Sequence, residues 1–331
     1  MLGLISGFHV ARSLHIAARL QLADLVRGGT SACKDLAALT GTDASSLHRL
    51  VRVLASAGVF EIDEHERVSL NPLAETLLSD APGSLRGWVI SQIGDDPYKA
   101  WGELMYSVRT GGVAFEHAFG CDLWTYRAGH PNSAKDFDDG MASLVGVHGE
   151  NVLASYSFAA VRKIVDVGGG DGKLITALLA ANQTAHGVLF EQPRVIDRAR
   201  RRIADAGLAM RCEVLAGDMF SSIPPGGDTY LLSRVIHNWS DERAIAILQN
   251  CRRAMAPAAK VLLVERIVPS RVEDSVATRA VAVSDLHMMV MSGGRERTEA
   301  QYRGLFAAAG LDLAQVVPTG SGMNIIEGVR S

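Results

Sequence analysis

The sequence predicts an α/β fold in two parts, a mainly helical winged-helix domain followed by a Rossmann-like, doubly wound parallel sheet. From residue 161 onward, short apolar runs alternate with helical patterns, which is typical of a parallel sheet covered by helices. Before that point helical spacing dominates, and only one hairpin is indicated. Because 331 residues exceed one ordinary core, we expect two domains, 1–90 and 91–331.

Five apolar runs predict the parallel strands. In sheets of this kind, ligands bind outside the carboxyl ends of the strands, so the residues just after each run are the ones to inspect. Glu191, Asp218, His237 and Glu265 stand at or shortly after such ends. The predicted strands are 164–167, 188–190, 213–215, 229–233 and 261–264.

The run DVGGGDG over 166–172 follows the first predicted strand and precedes a helical pattern over 174–181. A strand, a glycine turn and a helix in this order predict a cofactor site, because glycines let the backbone approach a ligand closely. A dinucleotide fingerprint would need glycine where Lys173 stands, and a P-loop would need Ser or Thr where Leu174 stands. The spacing therefore excludes both nucleotide motifs.

Two more motifs follow the next strands. Glu191 ends the second apolar run, where an acid can bind both ribose hydroxyls, and the run GDMF over 217–220 offers a carboxylate for a purine amino group and soft side chains for its faces. Together with the glycine loop, these motifs resemble the S-adenosylmethionine (SAM) site of class I methyltransferases. The cofactor-binding residues that this resemblance implies are Asp166, Gly168, Gly170, Glu191, Gln192, Gly217, Asp218, Met219, Phe220, Ser233 and Arg234.

The composition describes a globular chain. It has 48% hydrophobic residues, 21% charged residues and a net charge of −3, which gives no overall attraction to nucleic acid or to an anionic membrane. No apolar run approaches a membrane span, and Arg12, His15 and Arg19 interrupt any leader-like segment. The four cysteines lie far apart with no metal-ligand spacing, so we expect reduced thiols, no metal and a cytoplasmic protein.

The first domain has a winged-helix pattern, in which helices over 34–39 and 44–57 precede a hairpin of strands 59–62 and 67–70. Such a domain often binds DNA, and a small-molecule-responsive regulator is therefore an alternative. Residues 1–90, however, hold eight Lys and Arg against nine Asp and Glu, and the wing tip carries three acids. A DNA contact would need basic residues there, so we expect no nucleic acid partner.

The amino-terminal helix carries an apolar stripe that predicts an interface. Such a stripe on a terminal helix commonly packs against a second subunit, so we expect a homodimer. The alternative is that the stripe packs on its own domain. Its residues are Leu2, Ile5, Val10, Leu14, Ala17 and Leu22.

His237 lies in a predicted strand-to-helix loop, followed by Ser240 as a plausible helix cap. A lone histidine in such a place is most often structural. Two glutamates change this interpretation. Glu265 directly follows a predicted strand, and Glu296 lies just before a helix that begins near Thr298. A carboxylate against an imidazole fixes its tautomer and stabilises the imidazolium that forms when the ring takes a proton. We therefore predict a general base.

The whole chain resembles the SAM-dependent O-methyltransferases of the plant caffeic acid and flavonoid type, with their bacterial small-molecule relatives. The resemblance rests on the motifs above and on VER over 264–266 and GRERT over 294–298. It implies that His237 removes the proton of a phenolic or enolic hydroxyl on a small apolar metabolite, while Glu265 and Glu296 hold the ring. The implied acceptor-binding residues are Phe137, Met141, Leu144, Asn238, Leu286, His287, Val290, Met291 and Asn324.

Three positions depart from the family pattern. Asn238 stands where Asp is common, Ser233 where plant members often have Lys, and Glu191 where Asp is more usual. A SAM-using relative with another chemistry, such as hydroxylation, is a second alternative, because the fold alone does not decide the reaction. The retained His237, Glu265 and Glu296 favour methylation, because a non-methylating relative would not need a base directed at a hydroxyl.

Overall fold

The computed structural model describes all residues from 1 to 331, and it divides into two compact units. The first contains Met1–Tyr98 and His130–Val147, and the second contains Lys99–Gly129 and His148–Ser331. The expected boundary between 1–90 and 91–331 stays a prediction. No helix is long and apolar enough to cross a membrane.

The first unit is helical apart from one short hairpin. The strands β1 (Glu61–Ile62) and β2 (Val68–Ser69) pair antiparallel, and the helices before them match the predicted pattern, so the winged-helix arrangement is confirmed. The helices are α1 (Leu2–Arg19), α2 (Leu22–Arg27), α3 (Cys33–Thr40), α4 (Ala44–Ser56), α5 (Pro72–Glu75), α6 (Arg86–Gln92), α7 (Asp95–Gly102), which runs into the second unit, and α11 (Pro131–Ser155), which the two units share.

The apolar stripe of the amino-terminal helix divides into two parts. Ala17 and Leu22 are each 1% exposed and belong to the core of their own unit. Leu2 and Ile5, at the other end, are 84% and 61% exposed. Packing within the domain therefore accounts for the second half of α1, and the first half presents apolar side chains outward.

The second unit is built on a seven-stranded sheet of order β5-β4-β3-β6-β7-β9-β8. The first five strands are parallel, as predicted, whereas β9 runs antiparallel to β7 and to β8. The predicted Rossmann-like α/β fold is confirmed, and the antiparallel pair β8 and β9 is an addition that the sequence analysis did not predict. The strands are β3 (Lys163–Val167), β4 (His186–Glu191), β5 (Cys212–Ala216), β6 (Thr229–Ser233), β7 (Lys260–Glu265), β8 (Leu311–Pro318) and β9 (Asn324–Arg330).

The short connection between β8 and β9 explains why these two strands run antiparallel. Antiparallel neighbours need only a short connection, whereas a further parallel strand would need a crossover of a dozen or more residues. Five residues separate β8 from β9, which leaves no room for a crossover helix. The exposed face of β8 also weakens its apolar pattern, since only Leu311 and Leu313 of this strand are buried.

Helices cover the sheet and carry the expected caps. Ser240 caps α14 and Thr298 forms a capping box with Gln301 at the start of α16, as the sequence predicted. The helices of this unit are α8 (Leu104–Thr110), α9 (Ala114–Phe119), α10 (Leu123–Gly129), α12 (Lys173–Ala181), α13 (Ile196–Asp205), α14 (Asp241–Ala254), α15 (Val276–Met291) and α16 (Glu299–Ala308), and a 3₁₀ turn spans Ile236–Asn238.

The strand order reverses at β3, which pairs with β4 on one side and with β6 on the other. A crevice forms at such a switch point outside the carboxyl ends of the strands. The loop 168–172 follows β3, and the 3₁₀ turn that contains His237 follows β6. The topology therefore brings the predicted cofactor and catalytic motifs to the same edge of the sheet.

Candidate active site

The glycine loop after β3 needs backbone conformations that favour glycine. Gly168, Gly170 and Gly172 have φ values of +72°, +58° and +83°. The N–H of Gly170 donates to Oε2 of Glu191 at 3.0 Å, which joins the loop to the end of β4. Gly172 is the N-cap residue of α12, so the loop leads directly into the amino terminus of a helix.

Asp166 is a buried carboxylate beneath this loop. It is 1% exposed, and neither carboxylate oxygen has a hydrogen-bond partner within the protein. Burial raises the pKa of Asp166 to about 7, and the neighbouring Glu191 contributes to the shift. A buried acceptor without a partner is costly, so this carboxylate suits a bound cationic group or hydrogen-bond donor.

A cavity of about 260 Å³ lies between the ends of β4 and β5 and the start of α14. It brings together Glu191 and Gln192 with the GDMF motif over 217–220. A Cβ at Gly217 would overlap the ring of Phe190, which explains the glycine. The lining residues are Phe190, Glu191, Gln192, Gly217, Asp218, Met219, Phe220, Trp239 and Arg243.

Two cavity residues were missed from the sequence. The Trp239 ring meets the Phe220 ring edge-on at 4.8 Å between centroids, and the Arg243 guanidinium lies 4.1 Å from the centre of the Phe220 ring. The only signal was their place in and just after the motif of His237, which we interpreted for the histidine alone. Apolar and aromatic walls with a few polar groups are typical of a cofactor pocket.

His237 and two glutamates form a buried cluster at the ends of β6 and β7. The Nδ1 atom of His237 lies 3.0 Å from Oε1 of Glu296 and 3.8 Å from Oε2 of Glu265. His237 is 2% exposed, and the two glutamates are 2% and 0% exposed, Glu296 and Glu265 respectively. The structure therefore brings the three predicted catalytic residues together, with both carboxylates on the Nδ1 side of the ring.

The two carboxylates differ electrostatically. Burial on its own raises the pKa of Glu296, but the charge of His237 and hydrogen bonds from His237 and Ser284 outweigh it and lower the pKa to about 2. Burial dominates at Glu265 and raises its pKa. Oε1 of Glu265 accepts the backbone N–H of Ile236 at 2.8 Å, which anchors the histidine turn to β7.

Two residues of α15 hold Glu296, and the sequence did not reveal them. The hydroxyl of Ser284 donates to Oε1 of Glu296 at 2.6 Å, and the N–H of Glu296 donates to Oδ1 of Asp285 at 2.8 Å. The available signal is that Ser284 and Asp285 are adjacent polar residues that follow the apolar run 280–283 within α15.

Arg297 links the loop before α16 to the histidine turn. Its side chain is fully buried and donates to the carbonyls of Ile236 at 3.2 Å and Trp239 at 2.8 Å, and to Oδ1 of Asp241. The backbone N–H of Arg295 donates to the carbonyl of His237 at 2.8 Å. The two loops are thus bound together on both sides of the histidine.

The cluster of His237, Glu265 and Glu296 also has the spacing of a metal site. One ligand atom from each of His237, Glu265 and Glu296 lies within 4.8 Å of the others. The sequence analysis grouped these residues as a base with two carboxylate partners and did not indicate a metal site, because their spacing in the chain matches no metal-ligand pattern. Nδ1 of His237 and Oε1 of Glu265 are already engaged in hydrogen bonds, so a metal would have to displace existing contacts.

Several other predicted residues lie near these features. Ser233 ends β6, and the N–H of Arg234 donates to the carbonyl of Val264 at 3.0 Å. The amide of Asn238 donates to the carbonyl of Arg234 at 2.9 Å, so it stabilises the turn. Asn324 pairs with Glu265 across β9 and β7.

The predicted acceptor-binding residues fall into two groups. On α15, Leu286 and His287 are half-buried, whereas Val290 and Met291 belong to a buried apolar cluster with Phe115. The second group, Phe137, Met141 and Leu144, lies on the part of α11 that belongs to the first unit, and its place in the site stays a prediction, as it does for Asn238 and Asn324.

A mixed seven-stranded sheet with a glycine loop after β3 and a cavity of about 260 Å³ at the ends of β4 and β5 is the arrangement of a Rossmann-like, SAM-dependent methyltransferase. The chain belongs to the plant-type O-methyltransferase family. Residues 101–312 match its O-methyltransferase domain, and residues 2–80 match its O-methyltransferase dimerisation domain.

Curated relatives cover nearly the whole chain. The phenazine O-methyltransferase PhzM of Lysobacter antibioticus is 39% identical over 327 residues, 99% of this chain and 94% of that protein. The phenazine-1-carboxylate N-methyltransferase of Pseudomonas aeruginosa is 31% identical over 318 residues, 96% of this chain and 92% of its own. The family therefore includes proteins named for oxygen and for nitrogen acceptors.

Solved structures agree with the fold. The crystal structure of LaPhzM has a TM-score of 0.95 and 39% identity, and the match covers 100% of this chain and 98% of that one. An O-methyltransferase of neocarzinostatin biosynthesis, in complex with SAM and 2-hydroxy-5-methyl naphthoic acid, has a TM-score of 0.83 and 31% identity, over 97% and 96% of the two chains. The cofactor of this family is SAM, and the unpaired Asp166 carboxylate fits its cationic end.

Gly294→Ala should displace the histidine turn, because a Cβ there would overlap the carbonyl of His237 and backbone atoms of Asn238. We expect a loss of about 1–3 kcal/mol in the free energy of unfolding, which is the usual cost of overpacking, and a large loss of methyl transfer. Thermal unfolding and a SAM-dependent assay measure both effects.

Gly304→Ala is the matched control, since it lies within α16 and its Cβ would meet no atom within 4 Å. This variant should gain roughly 0.5–1 kcal/mol and keep its activity. A Gly294→Ala protein as stable and active as the wild type would show that the close approach of the two loops is unimportant.

Proposed function

We propose that the protein transfers the methyl group of SAM to a phenolic or enolic hydroxyl of a small, largely apolar metabolite, with His237 as general base. The observation that carries this proposal is the contact of 3.0 Å between Nδ1 of His237 and Oε1 of Glu296. It occupies one ring nitrogen and leaves Nε2, which makes no hydrogen bond within the protein, for the acceptor.

Glu296 and Glu265 prepare His237 for proton removal. Glu296, whose pKa is lowered to about 2, is ionised at neutral pH and accepts the Nδ1 proton, so the lone pair of the neutral ring lies on Nε2. When Nε2 takes the hydroxyl proton, the same carboxylate stabilises the imidazolium. Glu265 holds the backbone of the turn in place. General base catalysis of this kind typically contributes roughly 10²–10⁴-fold.

SAM, when bound, supplies an electrophilic methyl group on a sulfonium. The chain has to align the acceptor oxygen with that group and exclude water, and this alignment supplies much of the rate. We assign Glu191 to the ribose, and Asp218 with Met219 and Phe220 to the adenine. Asp166 lies under the glycine loop, where its carboxylate can accept a hydrogen bond from the ammonium group of SAM.

The acceptor is a flat aromatic molecule in this proposal. Relatives are named for phenazine and naphthoate acceptors, which are fused aromatic rings. A nitrogen acceptor is the second candidate, favoured by the relative named as an N-methyltransferase. We prefer a hydroxyl because a neutral amine can react without prior loss of a proton, whereas a phenol benefits directly from His237.

Mass spectrometry of products tests this function. We would incubate the protein with SAM and a panel of phenols, enols and aromatic amines. A product that gains a methyl group on oxygen supports the proposal. A product that gains oxygen instead would favour the hydroxylation alternative, and methylation of amines alone would favour the nitrogen acceptor.

The second element of the proposal is a homodimer without a nucleic acid partner. The chain carries the dimerisation domain of the family, and Leu4, Ile5 and Phe8 on α1 are 75%, 61% and 49% exposed. Large exposed apolar groups of this kind mark an interface. Against DNA binding, His48 of the second winged-helix helix lies 3.1 Å from Glu66 of the wing. A cytoplasmic location stays a prediction.

His237→Gln should lower methyl transfer by two or more orders of magnitude and leave SAM affinity unchanged, because the residue acts on the acceptor oxygen. Turnover at saturating SAM and calorimetry measure the two quantities. A higher pH should partly restore the variant with a phenolic acceptor, since the phenolate then forms without a base.

Glu296→Gln is the companion variant, and its loss should be smaller and not additive with that of His237→Gln. Near wild-type turnover of His237→Gln at neutral pH would return the histidine to a structural role.

Removal of divalent metals should leave activity unchanged, because the proposed chemistry uses the ionised Glu296 as a hydrogen-bond partner rather than as a ligand. The measurement compares turnover before and after dialysis against a chelator, with metal content checked by elemental analysis. If activity were lost and returned with Mg²⁺ or Zn²⁺, the cluster of His237, Glu265 and Glu296 would be a metal site.

Ile5→Glu should weaken the dimer, because it places a charge within the exposed apolar part of α1. Light scattering should show a shift toward the monomer, with little change in circular dichroism. Glu61→Gln, at an exposed position of the wing, is the control and should leave the mass unchanged. An unaltered dimer in the Ile5→Glu protein would place the interface elsewhere.

A further inference from the structure

His287 lies beside the catalytic cluster on α15. Ser284, three residues earlier, donates to Oε1 of Glu296 at 2.6 Å, and residues three apart on a helix share a face. His287 is therefore about one helical turn, roughly 5 Å, along the same face. Oε1 of Glu296 also contacts Nδ1 of His237, so this face of α15 packs against the cluster.

Trp101 fixes the tautomer of His287. The indole Nε1–H donates to Nδ1 of His287 at 3.0 Å, and an indole can only donate. Nδ1 therefore carries no proton, and the neutral ring carries its proton on Nε2. Burial, with a contribution from the charges of Arg127 and His237, lowers the pKa of His287 to about 3, so the ring stays neutral at working pH.

The Nε2–H group of His287 is an available donor. Nε2 makes no hydrogen bond within the protein. It is not fully enclosed, so a ligand can reach it. The half-buried side chain thus carries one N–H whose position on the ring is fixed and which a ligand can reach, one helical turn from the residue that holds Glu296. A buried donor left unpaired is costly, so a ligand that excludes water has to satisfy it.

We propose that Nε2–H of His287 binds a ring nitrogen or carbonyl oxygen of the methyl acceptor, and that it selects hydroxylated aromatics carrying such an atom over plain phenols. This inference rests on the proposed function, which it narrows to one class of acceptor. The fixed direction of the donor comes from Trp101, which makes Trp101 a positioning residue. The resemblance to the family gave His287 only as one of several pocket positions.

The test uses two acceptors of the same shape, 1-hydroxyphenazine and 1-hydroxyanthracene. The first has a ring nitrogen beside the hydroxyl, and the second has C–H there. The wild type should favour 1-hydroxyphenazine in kcat/KM by roughly ten- to a hundredfold, the usual value of one such hydrogen bond. His287→Phe should reduce this ratio to near one, with most of the change in KM.

Val283→Ala is the matched control, because Val283 lies on α15 but is 54% exposed. It should keep the wild-type ratio. The inference would be overturned if the wild type had equal kcat/KM for the two acceptors, or if His287→Phe kept the wild-type ratio of kcat/KM. Neither result would affect the role of His237. Absence of methyl transfer to any hydroxyl compound would instead overturn the proposed function.

NMR of the imidazole nitrogens tests the inference about His287 without a measurement of turnover. In the wild type, His287 should show a protonated Nε2 and a bare Nδ1 from about pH 5 to 9, as expected of a ring that accepts from an indole. Trp101→Phe should release this constraint, so that a second tautomer or a titration appears and the acceptor ratio falls part of the way. A wild-type ring protonated on Nδ1, or one titrating in this range, would overturn the inference.

Discussion

The hydrogen bond between Nδ1 of His237 and Oε1 of Glu296 is the interaction on which the rest of the site depends. An ionised carboxylate with 2% exposure is costly unless other groups stabilise it. Ser284 donates to the same oxygen, and Asp285 accepts from the backbone of Glu296. The helix α15 therefore supplies the groups that keep Glu296 charged and correctly placed.

His237, the proposed base, and the cavity of about 260 Å³ share one piece of backbone. Arg297 binds the carbonyls of Ile236 and Trp239, on either side of His237, and the ring of Trp239 lines the cavity. The fully buried guanidinium, paired with Asp241, thus fixes the base relative to the wall of the cavity. Because proximity dominates methyl transfer, a rigid connection between these two regions is what the chemistry requires.

The sequence predicted what depends on local pattern. Five parallel strands followed from apolar runs, and the glycine loop from a spacing that only close backbone approach explains. The hairpin of β8 and β9 was not predicted, because its outer strand, β8, buries few side chains and so has a weak apolar pattern. The roles of Ser284 and Arg297 were not predicted, because a contact between residues far apart in the chain leaves no periodic signal. The apolar stripe of α1 is buried only where the core of its own unit covers it.

A crystal structure with S-adenosylhomocysteine and a hydroxylated acceptor is the most direct test of the central claim. The account predicts the acceptor oxygen within about 2.6–3.2 Å of Nε2 of His237, with Nδ1 still bound to Glu296. An acceptor oxygen that faces another side chain, with Nε2 of His237 bound to protein or turned away, would contradict it.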